Sequence, residues 1–217
     1  MFIIGAGGAR ARLALACCLM SLWLGNARSE DAPAWLVHRV EEDWELVVSE
    51  PHAETNGPQV TCVMSPVCDV EAAYAAFDIN HHSQPNYSRG GLQLQVWHLG
   101  EPLLSNNDPD YQVLEREGET IRWTQQMTLD EGVLTFAIVN GQSQTWGTFG
   151  GNERLRISVA TSLVSLNNYN PSISVEHSGI GYAANRVASL KLKGVRAYAA
   201  EELIYEDNTE RVVYSHE

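Results

Sequence analysis

Apolar side chains recur at every second position of this chain, in one short segment after another. Leu92, Leu94 and Val96 alternate with Gln93, Gln95 and Trp97. Leu155, Ile157 and Val159 alternate with Arg154, Arg156 and Ser158, and Leu190 and Leu192 with Ser189, Lys191 and Lys193. Successive side chains of an extended backbone point to opposite faces, so the pattern predicts strands that are apolar on one side and polar on the other. Further strands are expected at 44–49, 60–64, 74–80, 120–128, 134–139, 172–176 and 195–198, and a last one at 211–214.

Clusters of turn-forming residues punctuate these segments: Asn56-Gly57-Pro58, Arg89-Gly90-Gly91, Asp130-Glu131-Gly132, Asn140-Gly141 and Gly150-Gly151-Asn152. Such residues accept left-handed backbone or preset a turn. Only 70–76, rich in alanine and following Asp69 as a possible N-cap, also reads as a helix. Many antiparallel strands with one wet face must bury their apolar faces against a second sheet. The expected fold is therefore all-β, a two-sheet antiparallel sandwich.

The first residues change the picture of the mature chain. Arg10 and Arg12 precede an apolar run at 13–24, and Gly25, Asn26, Ala27 and Ser29 follow it, which is the layout of a signal peptide cleaved after Ala27 or Ser29. A buried N-terminal helix is the alternative. The run is too short to span a bilayer, which needs roughly 20 residues, so no membrane span is expected. Export to the medium, the periplasm or the cell surface follows, with residues 1–29 as the leader and 30–217 as one β-sandwich domain.

The full chain carries a formal charge of −13. Removing the leader, which holds three arginines and no acid, leaves 11 basic and 27 acidic side chains. Such a surface repels phosphate backbones and disfavours a nucleic-acid partner. Cys17 and Cys18 would leave with the leader; a lipid anchor at Cys17 is a poor fit, because Ala14-Leu15-Ala16 is a weak lipobox. Cys62 and Cys68 remain, with Ser65-Pro66 between them, and in an oxidising compartment that spacing reads as a disulfide closing a small loop. Two separate thiols are the alternative.

The run Ser189-Leu190-Lys191-Leu192-Lys193-Gly194-Val195-Arg196-Ala197-Tyr198 resembles the late strand that closes jelly-roll domains of the concanavalin A-like lectin/glucanase class. The segment Gly91-Leu92-Gln93-Leu94-Gln95-Val96-Trp97, and 141–150 with Trp146, are similar to mid-domain patterns of that class. The resemblance implies a jelly roll with a face on which relatives often hold carbohydrate. Glu41-Glu42-Asp43-Trp44-Glu45 also has the E-x-D-x-E spacing of laminarinase-type glycoside hydrolases of the same fold class. By matched position Glu41 would be the nucleophile, Glu45 the acid/base and Asp43 the residue tuning both. The motif stands early in the mature chain, and Glu42 replaces a residue that should face the core. An acidic edge or entry strand is the plainer expectation, since charge blunts edge pairing.

A second set of residues suits a ligand. Tyr74, Asp78, Asn80, Gln93, Gln95, Trp97, Arg122, Thr124 and Gln126 all fall opposite the apolar sides of their predicted strands. Planar amides and carboxylates bond sugar hydroxyls, and an exposed aromatic ring stacks on the apolar face of a pyranose. Carbohydrate binding without catalysis is thus the leading expectation, ahead of hydrolysis and of an extracellular protein-interaction role.

Other signals are weaker. His81 and His82 are adjacent and would point to opposite faces, although His98 or His177 could approach either. Asn106, Asn107, Asp108 and Asp110 offer oxygens that suit calcium but lack the EF-hand spacing, so a turn is expected there. Asn86-Tyr87-Ser88 is a formal glycosylation acceptor. There is neither a Gly-x-Ser-x-Gly elbow nor a glycine-rich phosphate loop.

Overall fold

The computed structural model describes residues 35–49, 58–79, 91–108, 114 and 116–216. Among them, thirteen strands and one short helix form two antiparallel sheets that close on a shared apolar core, which is the expected all-β sandwich. The expected leader at 1–29, together with Asn80, His81, His82, the acceptor at Asn86, and Asp110, lies outside the described residues. Within them no helix is long and apolar enough to cross a membrane.

The larger sheet centres on β1 (Arg39–Val48), which pairs with β11 (Val187–Ala199) on one side and β6 (Thr120–Asp130) on the other. Strands β12 (Glu202–Asp207) and β13 (Arg211–Ser215) lie end to end along β11. Strands β8 (Gly147–Phe149) and β9 (Arg156–Ala160) do the same along β7 (Val133–Ser143), the partner of β6. The smaller sheet runs in the order β10 (Gly179–Tyr182), β2 (Gln59–Met64), β3 (Ala73–Ile79), β4 (Leu92–His98) and β5 (Glu101–Asp108).

Two-residue turns fix the hairpins. Glu131 and Gly132 both take positive φ between β6 and β7, as do Leu99 and Gly100 between β4 and β5. That is the primed turn whose twist matches the flanking strands. Alternation then sends Trp44, Leu46 and Val48 of β1 and Trp123 and Met127 of β6 inward, to meet Cys62, Phe77, Leu94 and Val96 from the smaller sheet. The Trp123 ring stands edge-on to Phe77 at 5.6 Å and parallel to Trp44 at 6.4 Å. Truncating an aromatic ring so placed costs about 3–5 kcal/mol.

Several expectations are corrected. The segment expected as a strand at 172–176 is the helix α1 (Pro171–His177). Asn170 caps it by accepting the Ser172 N–H at 3.0 Å, and Pro171 opens it, so local capping overrides the brief alternation. Residues 106–108 belong to β5 rather than to a turn, because the β4 register and side-chain bonds hold them extended. The two strands expected around Gly194 are one, β11, and the alternative helix at 70–76 is a turn followed by β3. At Asn140, with φ of 55°, the chain bulges within β7 instead of turning.

The expected disulfide is absent. The Cys62 thiol is buried in the core, because β2 directs it inward, whereas Cys68 is exposed and donates to the Asn168 carbonyl at 3.0 Å. Between them Ser65 donates to the Ala73 carbonyl at 2.7 Å, fixing a bend that carries Cys68 away from the sheet interior.

Candidate functional site

The acidic motif turns out to occupy a central strand, not an edge. Glu41, Asp43 and Glu45 all face out of the larger sheet, and the neighbouring strands supply their counter-charges. Glu41 accepts from Arg196 Nε and Tyr198 OH, each at 3.1 Å, and from Gln126 Nε2 at 3.0 Å. Asp43 is gripped by both terminal nitrogens of Arg196 and by Thr124 at 2.8 Å. Glu45 pairs with Arg122 at 2.8 Å. Glu41 and Glu45 stand four positions apart on one strand, about 13 Å along its axis, whereas a retaining pair needs about 5 Å. Every carboxylate of the motif is thus engaged in pairing strands.

Glu42 faces the opposite way, fully buried in the core. It accepts from Tyr169 OH at 2.6 Å, from Trp44 Nε1 at 3.0 Å and from the Ser174 hydroxyl. Burial pushes its carboxyl up to about 7, against those three donors. Its contacts tie α1 and the segment before it to the larger sheet, while Ser178, just after α1, accepts the Val63 N–H of the smaller sheet at 2.8 Å.

The residues expected to form one open face divide between two. Arg122, Thr124 and Gln126 lie on the outer face of the larger sheet, inside the ion-pair network just described. Tyr74, Asp78, Gln93, Gln95 and Trp97 lie on the outer face of the smaller one, where Tyr74 is the direct partner of Trp97 and Asp78 of Gln93. A sequence shows which side of a strand is polar, but not which sheet the strand joins.

On that second face the structure forms a groove of about 560 Å³. Its floor comes from alternate positions of β2, β3 and β4: Thr61, Ala76, Asp78 and Gln95. Tyr74 and Trp97 stand at one end with ring centroids 5.9 Å apart and planes 2° from parallel. The Trp97 Nε1–H donates to Gln95 at 3.2 Å, which fixes the indole plane. Glu71 from the turn before β3, and His177 from the last turn of α1, also line it. The volume falls in the ordinary range for small-molecule sites.

Asp78 is only 4% exposed, and Thr61 is its one hydrogen-bond donor among the described residues. Burial outweighs that bond and pushes its carboxyl up to about 6. Burial and the nearby Asp78 charge together raise the Tyr74 phenol. Gln93, by contrast, spends its amide on Ser105 at 3.0 Å and Asn107 at 2.6 Å, so it braces β4 against β5 and does not line the groove.

Four of the expected residues, Tyr74, Asp78, Gln95 and Trp97, therefore meet in one site. Thr61 was legible as an outward position of the strand expected at 60–64, whereas Gln59, which also lines the groove, fell just before it. Glu71 and His177 were not, because a turn and a helix carry them there. Two of the residues considered for calcium are engaged otherwise: the Asp108 carboxylate pairs with Arg154 at 2.9 Å, and the Asn106 amide nitrogen donates to the Arg156 carbonyl at 2.6 Å. Among the described residues no group of three or more His, Cys, Asp or Glu side chains is placed to hold a metal ion. Compared with known proteins, the chain matches no family model and finds no significant relative among curated sequences.

Proposed function

We propose that this domain is an exported, non-catalytic module that binds carbohydrate in the groove on its smaller sheet, at a cell surface, in the periplasm or in the medium. The observation that carries the reading is the parallel Tyr74–Trp97 pair standing beside Asp78, Gln95 and Thr61 in one open groove. An aromatic plane receives the apolar face of a sugar ring, and short polar side chains beside it receive the hydroxyls. The concanavalin A-like jelly roll is the finer form of the fold that suits this reading. It is supported by the resemblance of β11 to the closing strand of that class and by a chain that passes repeatedly between the two sheets.

Hydrolysis at Glu41 and Glu45 has less support, since arginines hold both carboxylates and they are spaced widely along one strand. A glycan array probed with wild type, Tyr74→Ala and Trp97→Ala tests the binding reading. Trp97→Ala is expected to weaken binding of the preferred glycan about tenfold or more, as removal of an aromatic anchor does. Binding to no glycan, or binding indifferent to both substitutions, would favour a protein-interaction role instead.

A further inference from the structure

The charges of the groove contrast with those of the opposite face. There, Glu41, Asp43 and Glu45 are each held by an arginine. Among the described residues Asp78 and Glu71 have no basic partner in the groove, and no lysine or arginine lines it. Among the described residues, His177 is the one lining side chain able to carry positive charge. Asp78 is nearly buried at the groove floor with a single hydroxyl donor among the described residues. A carboxylate so placed needs a donor, and the Tyr74 and Trp97 rings beside it present π-faces that attract cations. Groove, ring pair and under-coordinated carboxylate are three separate features that favour the same ligand chemistry, and that chemistry disfavours uronates and sulfated sugars.

Resting on the carbohydrate reading above, we propose that the sugar bound here is a hexosamine with a free, protonated amine, its ammonium group against Asp78 and its ring against Trp97. Titration calorimetry at about pH 6.5, comparing a glucosamine tetramer with an N-acetylglucosamine tetramer of equal length, tests it. The free-amine oligomer is expected to bind roughly tenfold more tightly, the worth of one close ammonium–carboxylate contact. Asp78→Asn, which keeps an acceptor for Thr61, should abolish that preference while leaving the melting temperature near that of wild type. Glu71→Gln, on the exposed turn, should reduce the preference without touching the fold.

Equal affinity of wild type for the two oligomers would overturn the proposal, and so would a preference that survives both substitutions. A preference lost equally in Glu202→Gln, remote from the groove, would show diffuse attraction to an acidic protein and also overturn it. Trp97-dependent binding of neutral oligomers without an amine preference would sink this inference alone. Failure of every oligomer to bind would remove the carbohydrate reading with it.

Discussion

Glu42 shows how one side chain sets a property of the whole protein. Its carboxyl is held near 7 by burial among apolar neighbours, although Tyr169, Ser174 and Trp44 all donate to it. Below its ordinary value of 4.5 it is protonated in both the folded and the unfolded chain. Between there and about 7 the unfolded chain releases the proton while the folded chain keeps it, so stability falls as pH rises, by roughly 3 kcal/mol in all. Above that range the loss is complete. Glu42→Gln should remove this slope: urea midpoints of the variant should change less than those of wild type between about pH 5 and 7.5. The tyrosine and serine hydroxyls can rotate to accept from the new amide, so the cluster stays satisfied. Asp78, pushed up to about 6, adds a slope of the same sign over a lower window. A wild type whose midpoint rises from pH 5 to 7.5 would contradict both assignments.

At the scale of elements, close backbone approaches fix what the strands alone leave free. Gly150 ends β8 at φ of 77°, and a Cβ there would lie 2.5 Å from the Ile138 carbonyl oxygen. The adjoining Gly151 N–H donates to that same oxygen at 2.7 Å. Gly150→Ala combines left-handed strain with a clash against backbone, so it should lower stability by about 2 kcal/mol or more, read as a shift in denaturant midpoint. A midpoint unchanged within error would mean that the turn relaxes at no cost. Helix α1 matters differently. Ser174, fully buried, bonds Glu42 of the larger sheet, while His177 at the helix end lines the groove. One short element thus connects the polar cluster of the core to the candidate binding site.

For the whole molecule, the absence of the expected disulfide places the stability of the described domain on its core and its ion pairs. Melting with and without dithiothreitol should give the same midpoint. Iodoacetamide should label both Cys62 and Cys68 in unfolded, unreduced protein, and a blocked pair under those conditions would contradict the structure. The two outer faces have opposite characters. On the larger sheet acids and arginines neutralise one another across three strands, in a pattern that itself knits β1 to β6 and β11. On the smaller sheet an aromatic pair, and carboxylates without basic partners among the described residues, surround an open groove.

Much of this was written in the sequence. Two-residue alternation determined where most strands run and which of their faces is wet, because side-chain direction in a strand depends on nothing beyond the backbone. It placed Glu41, Asp43 and Glu45 on one face, and Tyr74 with Asp78 on one face of a strand, as the structure has them. Tertiary structure decided the rest. It put β1 in the middle of a sheet, assigned Arg122 and Trp97 to different sheets, turned Cys62 away from Cys68, and delivered His177 and Glu71 to the groove. Sheet membership, strand order and the approach of a helix depend on contacts between residues far apart in the chain, and a local period carries no information about them.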